Sequence, residues 1–196
     1  MNHDEWMRGS FKRLSSSLGF HFVPTEEIER RLRRIRTAME KNEIETLLVI
    51  EKMDYYYLSG TTQDGLLFVP LQGRPLLLIR RELERAKIES PLEDVISLKS
   101  NRELPSFIQT HLGKLPKILG LELDVLPVKD YFRYQELFKG SKLKDASSIL
   151  RDTRKLKSPF EISLMRVAGE IGRKVYQEGK KILREGMTEI EFGGLL

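Results

Sequence analysis

Thr46-Leu47-Leu48-Val49-Ile50 is a short run, apolar after its first residue and partly β-branched. Such a run reads as a strand covered on both faces, the mark of a sheet flanked by helices. A helix is predicted just before it. Thr25 can cap that helix, Glu26 and Glu27 sit in its positive first turn, and Ile28, Leu32, Ile35 and Met39 recur at helical spacing as one buried stripe. After the strand come two further apolar runs, Leu66 to Val69 and Leu76 to Ile79, punctuated by Pro70, Gly73 and Pro75, which predict a β-hairpin.

Beyond the hairpin the pattern alternates. Glu82 to Ser90 reads as a helix and Val95 to Leu98 as a strand. Leu104, Phe107, Ile108 and Leu112 mark a second helix closed by Gly113, and Lys117 to Leu121 a further strand. Tyr131, Tyr134, Leu137 and Phe138 mark a third helix ended by Gly140, and Lys142 to Asp145 an edge strand. Strands alternating with helices predict an α/β domain, and the hairpin makes its sheet mixed. This domain is expected to cover residues 24–150. Residues 1–23, with Trp6, Phe11, Leu14, Leu18, Phe20 and Phe22 among serines and basic residues, form an N-terminal arm, either a docked helix or a loose segment.

Residues 151–196 read differently, as a linker and the first helices of a second domain. Ser158-Pro159-Phe160-Glu161 is a strong helix start: a serine cap, a proline at the first helical position, and a glutamate that reaches back to complete a capping box. Leu164, Ala168, Ile171 and Val175 place one stripe on the long helix that follows, which is expected to run to about Leu183. Thr188-Glu189-Ile190-Glu191 is a second capping box, and the sequence ends within the helix it opens. The chain is therefore expected to be a fragment of a longer protein.

Composition narrows the function classes. The chain has 196 residues, 40% hydrophobic and 32% charged, which suits a globular chain with one good core and argues against general disorder. No apolar run approaches the roughly 20 residues of a membrane span, so no membrane partner is expected. Residues 1–22 lack the pattern of a secretory signal. The absence of cysteine excludes a disulfide scaffold and a thiolate metal site, and makes a reducing cytoplasm the expected location. The net charge of +5 owes much to Arg30, Arg31, Arg33, Arg34 and Arg36. This cluster reads as the wet face of an amphipathic helix beside Glu26, Glu27 and Glu29, in preference to a nucleic-acid contact.

No catalytic constellation is readable, and no residue is assigned as catalytic or as a metal ligand. His3, His21 and His111 are scattered and read as surface or structural. Gly60 and Gly65 have phosphate-loop spacing, but leucines follow where Lys and Ser/Thr are needed. The densest unusual patch is Asp54-Tyr55-Tyr56-Tyr57-Leu58-Ser59-Gly60, running to Asp64-Gly65. It reads either as a peptide-contacting lip, because tyrosine offers large area and one polar group, or as ordinary core around Tyr57 and Leu58. Arg80 and Arg81 can hold a carboxylate bidentately or simply end a strand in solvent.

These words, in this order, resemble the creatinase/prolidase family of pita-bread metallopeptidases, the Xaa-Pro dipeptidases and aminopeptidases. The likeness rests on Glu27-Ile28-Glu29-Arg30-Arg31-Leu32, Leu47-Leu48-Val49-Ile50, the stretch from Asp54 to Gly60, Asp64-Gly65-Leu66-Leu67-Phe68 and Leu76-Leu77-Leu78-Ile79-Arg80-Arg81. Family members often carry Asn at the position of Asp54. The most specific part is Arg154-Lys155-Leu156-Lys157-Ser158-Pro159-Phe160-Glu161-Ile162, with Met165-Arg166, Ala168 and, further on, Gly186-Met187-Thr188-Glu189.

The resemblance implies a ribonuclease-H-like N-terminal domain, a mixed sheet flanked by helices, followed by the opening of a catalytic domain. It implies a homodimer that cleaves the bond before proline in short peptides, using two divalent ions (manganese, cobalt or zinc). The family's ligands, two Asp, one His and two Glu, lie downstream of the Gly-Met-Thr-Glu turn, so none is carried onto this chain and no cofactor is expected within it. The N-terminal domain's implied partners are its own catalytic domain and a second subunit, and its implied role is dimerisation and restriction of access. On that basis Asp54, Tyr57, Asp64, Arg80 and Arg81 are candidate substrate-access residues. A creatinase-like hydrolase of a non-peptide C–N bond and a non-catalytic binding module remain as alternatives, since one fold hosts several chemistries.

Overall fold

The computed structural model describes residues 22–195. The arm proposed for residues 1–23, and His3 and His21 with it, fall almost entirely outside that range.

The first element is α1 (Thr25–Lys41). Ile28, Leu32, Ile35 and Met39 are buried, as their spacing predicts. The cap, however, falls on Pro24 and not Thr25. Pro24 is extended, makes no side-chain cap bond, and its carbonyl accepts from Glu27 N and Ile28 N. A proline with fixed φ can end the extended segment without a polar side chain.

The arginine cluster also departs from a plain wet face. Arg31 is 4% exposed; its Nε donates to Glu27 at 2.9 Å, its Nη1 donates to the Tyr57 carbonyl at 2.8 Å, and its guanidinium lies 4.2 Å from the Tyr57 ring centre. Arg34 donates to Thr153 O and Arg36 to Pro70 O and Gly73 O. These long side chains bury their stems and satisfy carbonyls at strand and helix ends, which simple helical periodicity does not reveal.

Six strands form one sheet in the order β4-β3-β2-β1-β5-β6. They are β1 (Thr46–Val49), β2 (Gly65–Pro70), β3 (Leu76–Ile79), β4 (Asp94–Ser97), β5 (Ile118–Leu121) and β6 (Lys142–Asp145). β2 runs antiparallel to both β1 and β3, and the pairs β3–β4, β1–β5 and β5–β6 are parallel. The fold is the mixed, helix-flanked sheet that the sequence predicts, and every residue of β1 is buried.

One face of the sheet carries Leu48, Leu66, Phe68, Leu76, Leu78, Leu119 and Leu121 into a cluster with Leu104, Ile108, Tyr134 and Phe138. The alternate residues, Leu47, Val49, Leu67, Val69, Leu77 and Ile79, are buried on the opposite face, as the two-residue strand period requires. In β2, Gly65 is demanded by close approach: a Cβ there would stand 2.4 Å from the Leu78 carbonyl oxygen and 2.8 Å from the Tyr55 hydroxyl.

Helices α3 (Leu83–Glu89), α4 (Leu104–Leu112) and α5 (Val128–Leu137) lie where the alternation placed them. Two helices were not anticipated. The tyrosine patch forms α2 (Lys52–Ser59), ended by Gly60 in the left-handed conformation at φ 76°. Residues around the expected domain boundary form α6 (Ser147–Lys155). In α2, Asp54, Tyr55, Tyr57, Leu58 and Ser59 are all buried. The exposed side of α2 carries Met53 and Tyr56 while its buried side carries Asp54, so no amphipathic stripe is readable, and tyrosine is only a middling helix former.

The described chain separates into two compact units, one ending at Arg154 and one comprising Lys155 onward. The second unit holds α7 (Pro159–Ile182) and α8 (Glu189–Leu195). Both expected capping boxes form: Glu161 N donates to Ser158 Oγ at 2.9 Å and Ser158 N to Glu161 Oε2 at 2.8 Å, and Thr188 and Glu191 make the same reciprocal pair. Among the described residues no helix is long and apolar enough to cross a membrane.

Candidate functional site

In an α/β sheet, ligands collect at the carboxyl ends of the parallel strands, where connections diverge. Here that edge carries an open cleft of about 690 Å³ within the first unit. Its walls come from the β1–α2 corner (Ile50 to Met53, with Tyr55), the approach to β2 (Thr62 to Leu66), Arg80 at the end of β3, Asn101, and the segment from Val125 through Tyr134.

The polar rim is arranged by Arg80. Its Nη1 donates to Asp64 Oδ1 at 3.0 Å and its Nη2 to Asn101 Oδ1 at 3.0 Å, while its backbone N donates to Asp64 O. Arg133 is likewise held by Asp130 at 2.9 Å. Two arginine–aspartate pairs on one mostly apolar cleft present both signs of charge. The loop from Gly60 to Asp64 is fixed by Glu89, which accepts from Thr61 Oγ1 at 2.6 Å, Gln63 Nε2 at 3.1 Å and Arg85 Nε at 2.7 Å.

Of the five candidate access residues, the structure brings Asp64 and Arg80 together on the cleft. Arg81 is exposed at the end of β3 and does not line it. Asp54 and Tyr57 lie beneath the corner, 7% and 6% exposed. Asp54 Oδ1 accepts from Arg154 Nη1 at 2.7 Å, and Tyr57 carries the Arg31 guanidinium on its ring.

Two notable residues were missed. Tyr55, one of three adjacent tyrosines, lines the cleft at 4% exposure, and its buried hydroxyl has no hydrogen-bond partner among the described residues. Burial, and then the nearby Asp64 carboxylate, push its pKa up. Glu122 follows β5 and is 1% exposed. Its Oε2 accepts from Ile50 N at 2.5 Å and Glu51 N at 2.9 Å, and the Asp54 carboxyl lies against it. Burial pushes its pKa up to about 8, backbone donors from Ile50 and Glu51 oppose the rise, and Asp54 adds to it. For Tyr55 the only available signal was its place in the patch. For Glu122 it was a lone acid at the end of an apolar strand.

His111 is structural, with Nε2 2.9 Å from the Arg74 carbonyl oxygen. Among the described residues no group of three His, Cys, Asp or Glu side chains is arranged to hold a metal ion. These residues do not fit a metal centre.

Comparison with known proteins places these features in context. The model of the family described as "Creatinase/Prolidase N-terminal domain" matches residues 31–156. A Xaa-Pro dipeptidase of Pyrococcus horikoshii is 28% identical over 166 residues, covering 82% of this chain and 44% of that protein. An uncharacterised hydrolase/peptidase of Sinorhizobium fredii is 25% identical over 192 residues, covering 88% and 49%. Among solved structures, the prolidase of P. horikoshii superposes with a TM-score of 0.72 at 26% identity, over 84% of this chain and 46% of that one. The Xaa-Pro dipeptidase of Bacillus anthracis, at 20% identity and a TM-score of 0.75 over 85% and 47%, shares the fold. The chain spans about half the length of the curated relatives it matches.

Proposed function

The chain belongs to the creatinase/prolidase N-terminal domain family, and from that membership we propose that it serves as the N-terminal part of a cytoplasmic, metal-dependent Xaa-Pro peptidase. In this reading residues 24–150 are the family domain and residues 151–196 open the catalytic domain. The observation that carries it is the family match over residues 31–156 together with relatives named Xaa-Pro dipeptidase. Divalent ions would supply Lewis acidity and an activated water in the catalytic domain. The present residues would instead shape access and join two subunits.

The cleft supports a role in access. A short peptide carries one positive and one negative end, and the Asp64–Arg80 and Asp130–Arg133 pairs offer both signs beside the apolar surface of Ile50, Leu66 and Tyr134. Arg81 stands outside the cleft, exposed in solvent, and Asp54 and Tyr57 act from beneath by holding the corner.

The test is hydrolysis of Xaa-Pro dipeptides with added manganese, run on this chain and on a longer product of the same gene. Activity in the longer product alone is the expected result. In that active protein, Arg80→Ala should raise KM for short peptides with little change in kcat. Inactivity of both would displace the peptidase reading. The creatinase-like hydrolase would then be tested with non-peptide C–N substrates, and the binding module by a salt series for phosphate contacts.

A further inference from the structure

The start of α2 poses an accounting problem, since the first backbone N–H groups of a helix have no partner within it. Here they are taken by two carboxylates in succession. Glu51 Oε2 accepts from Met53 N at 2.7 Å and Asp54 N at 2.9 Å, and Glu122 Oε2 accepts from Ile50 N and Glu51 N. Glu122 therefore pins the β1–α2 corner, one wall of the cleft, from the neighbouring strand β5.

That leaves Glu122 Oε1. It is buried and has no hydrogen-bond donor among the described residues. Its neighbour is the carboxyl of Asp54, itself buried and clamped by Arg154 from α6. Two carboxyls side by side at 1% and 7% exposure, with one arginine on the outer member, cannot both be ionised cheaply.

We propose that Glu122 and Asp54 hold one proton between them, Glu122 Oε1–H donating to the Asp54 carboxylate, and that this proton is a pH-sensitive latch fastening the β1–α2 corner to the end of β5. The shared proton gives the orphaned oxygen its partner and leaves one net negative charge opposite Arg154. Loss of the proton sets two buried anions against each other, and the corner is the element free to move apart. Three other acids of these segments are already engaged, Glu51 by its own helix, Asp124 by Arg151 at 2.8 Å, and Asp145 by Ser147, and Lys52 at the start of α2 is exposed. The raised pKa of Glu122, about 8, agrees with the geometry.

The direction of the effect follows from linkage. A carboxyl whose folded pKa is raised binds more protons folded than unfolded between the two values. Stability therefore falls as pH rises from the ordinary value of 4.5 to about 8, and levels off outside that window. The folding equilibrium constant should drop by up to about tenfold per pH unit there. This inference is independent of whether the parent protein is a peptidase.

The experiment is a carboxyl-carbon NMR titration of Glu122 in the 196-residue chain, paired with amide hydrogen exchange corrected for the intrinsic rate. Glu122 should titrate well above the other glutamates. Protection of the Ile50 and Glu51 amides should fall at least about tenfold between roughly pH 6.5 and 9. Glu122→Gln is the neutral isostere: its amide oxygen still accepts from both backbone groups and its nitrogen donates to Asp54, so its protection should not change across that range. Titration of Glu122 with the ordinary carboxylates overturns the proposal. An equal loss of protection in E122Q overturns it as well. Should E122Q fail to fold, the titration midpoint in the unmodified chain decides alone.

Discussion

The β2–β3 hairpin and the β1–α2 corner stand on the same sheet and are held by opposite means. In the hairpin, Leu66, Leu67 and Phe68 pair with Leu78, Leu77 and Leu76, all buried and all apolar. In the corner, one short helix is capped by Glu51, sends its own Asp54 down to Arg154, and follows a turn held by Glu122. The hairpin is stabilised by area removed from water, which depends little on pH. The corner depends on buried polar groups that stabilise only while each has its partner and its proton. The region beside the cleft is thus the one whose integrity varies with conditions.

Substitutions can sharpen or break that contrast. The largest effect is expected for Phe68→Ala, which removes a fully buried ring packed 6.2 Å from that of Phe138. It should cost about 4 kcal/mol by chemical denaturation, equally at pH 6 and pH 9, because only transfer and cavity terms are lost. Arg154→Ala should cost about 1–2 kcal/mol, because its pairing with buried Asp54 is softened by a side chain 36% exposed. That cost should change between pH 6 and pH 9, and a pH-independent value would erase the distinction between the regions. The smallest effect is expected at Tyr55→Phe. Its hydroxyl is buried without a partner among the described residues, so removal should be neutral or stabilising by under about 1 kcal/mol.

The hairpin was also the more legible of the two in the sequence. Leu66 to Val69 and Leu76 to Ile79 announce themselves as apolar runs with turn residues between, and the structure pairs them. The same holds for α7, where Ser158, Pro159 and Glu161 fix the start within a single turn. Local rules suffice wherever the deciding contacts lie within a few residues. The corner was opaque because its decisive contacts are long-range. Glu122 reaches back 72 residues to Ile50, and Arg154 reaches back 100 to Asp54. Within α2 the cap is a glutamate, an unusual choice, and the polarity is inverted, with Asp54 buried and Met53 and Tyr56 exposed. Nothing in the local pattern distinguishes Tyr55, which lines the cleft, from Tyr57, which lies under Arg31.

By itself, then, the sequence determined a mixed α/β sheet, its strand-by-strand alternation, the capped start of a long helix and the family to which these belong. Each of those is written in periodicity, caps and turns, which act over a few residues of chain. Only the tertiary structure decided that the tyrosine patch is a helix, that Arg31 is buried while Arg34 and Arg36 bond distant backbone carbonyls, and that Asp64 meets Arg80 on a cleft. It also decided that two acids 68 positions apart, Asp54 and Glu122, lie side by side. Burial, pairing and protonation depend on which distant groups the folded sheet brings together, and no local pattern records that.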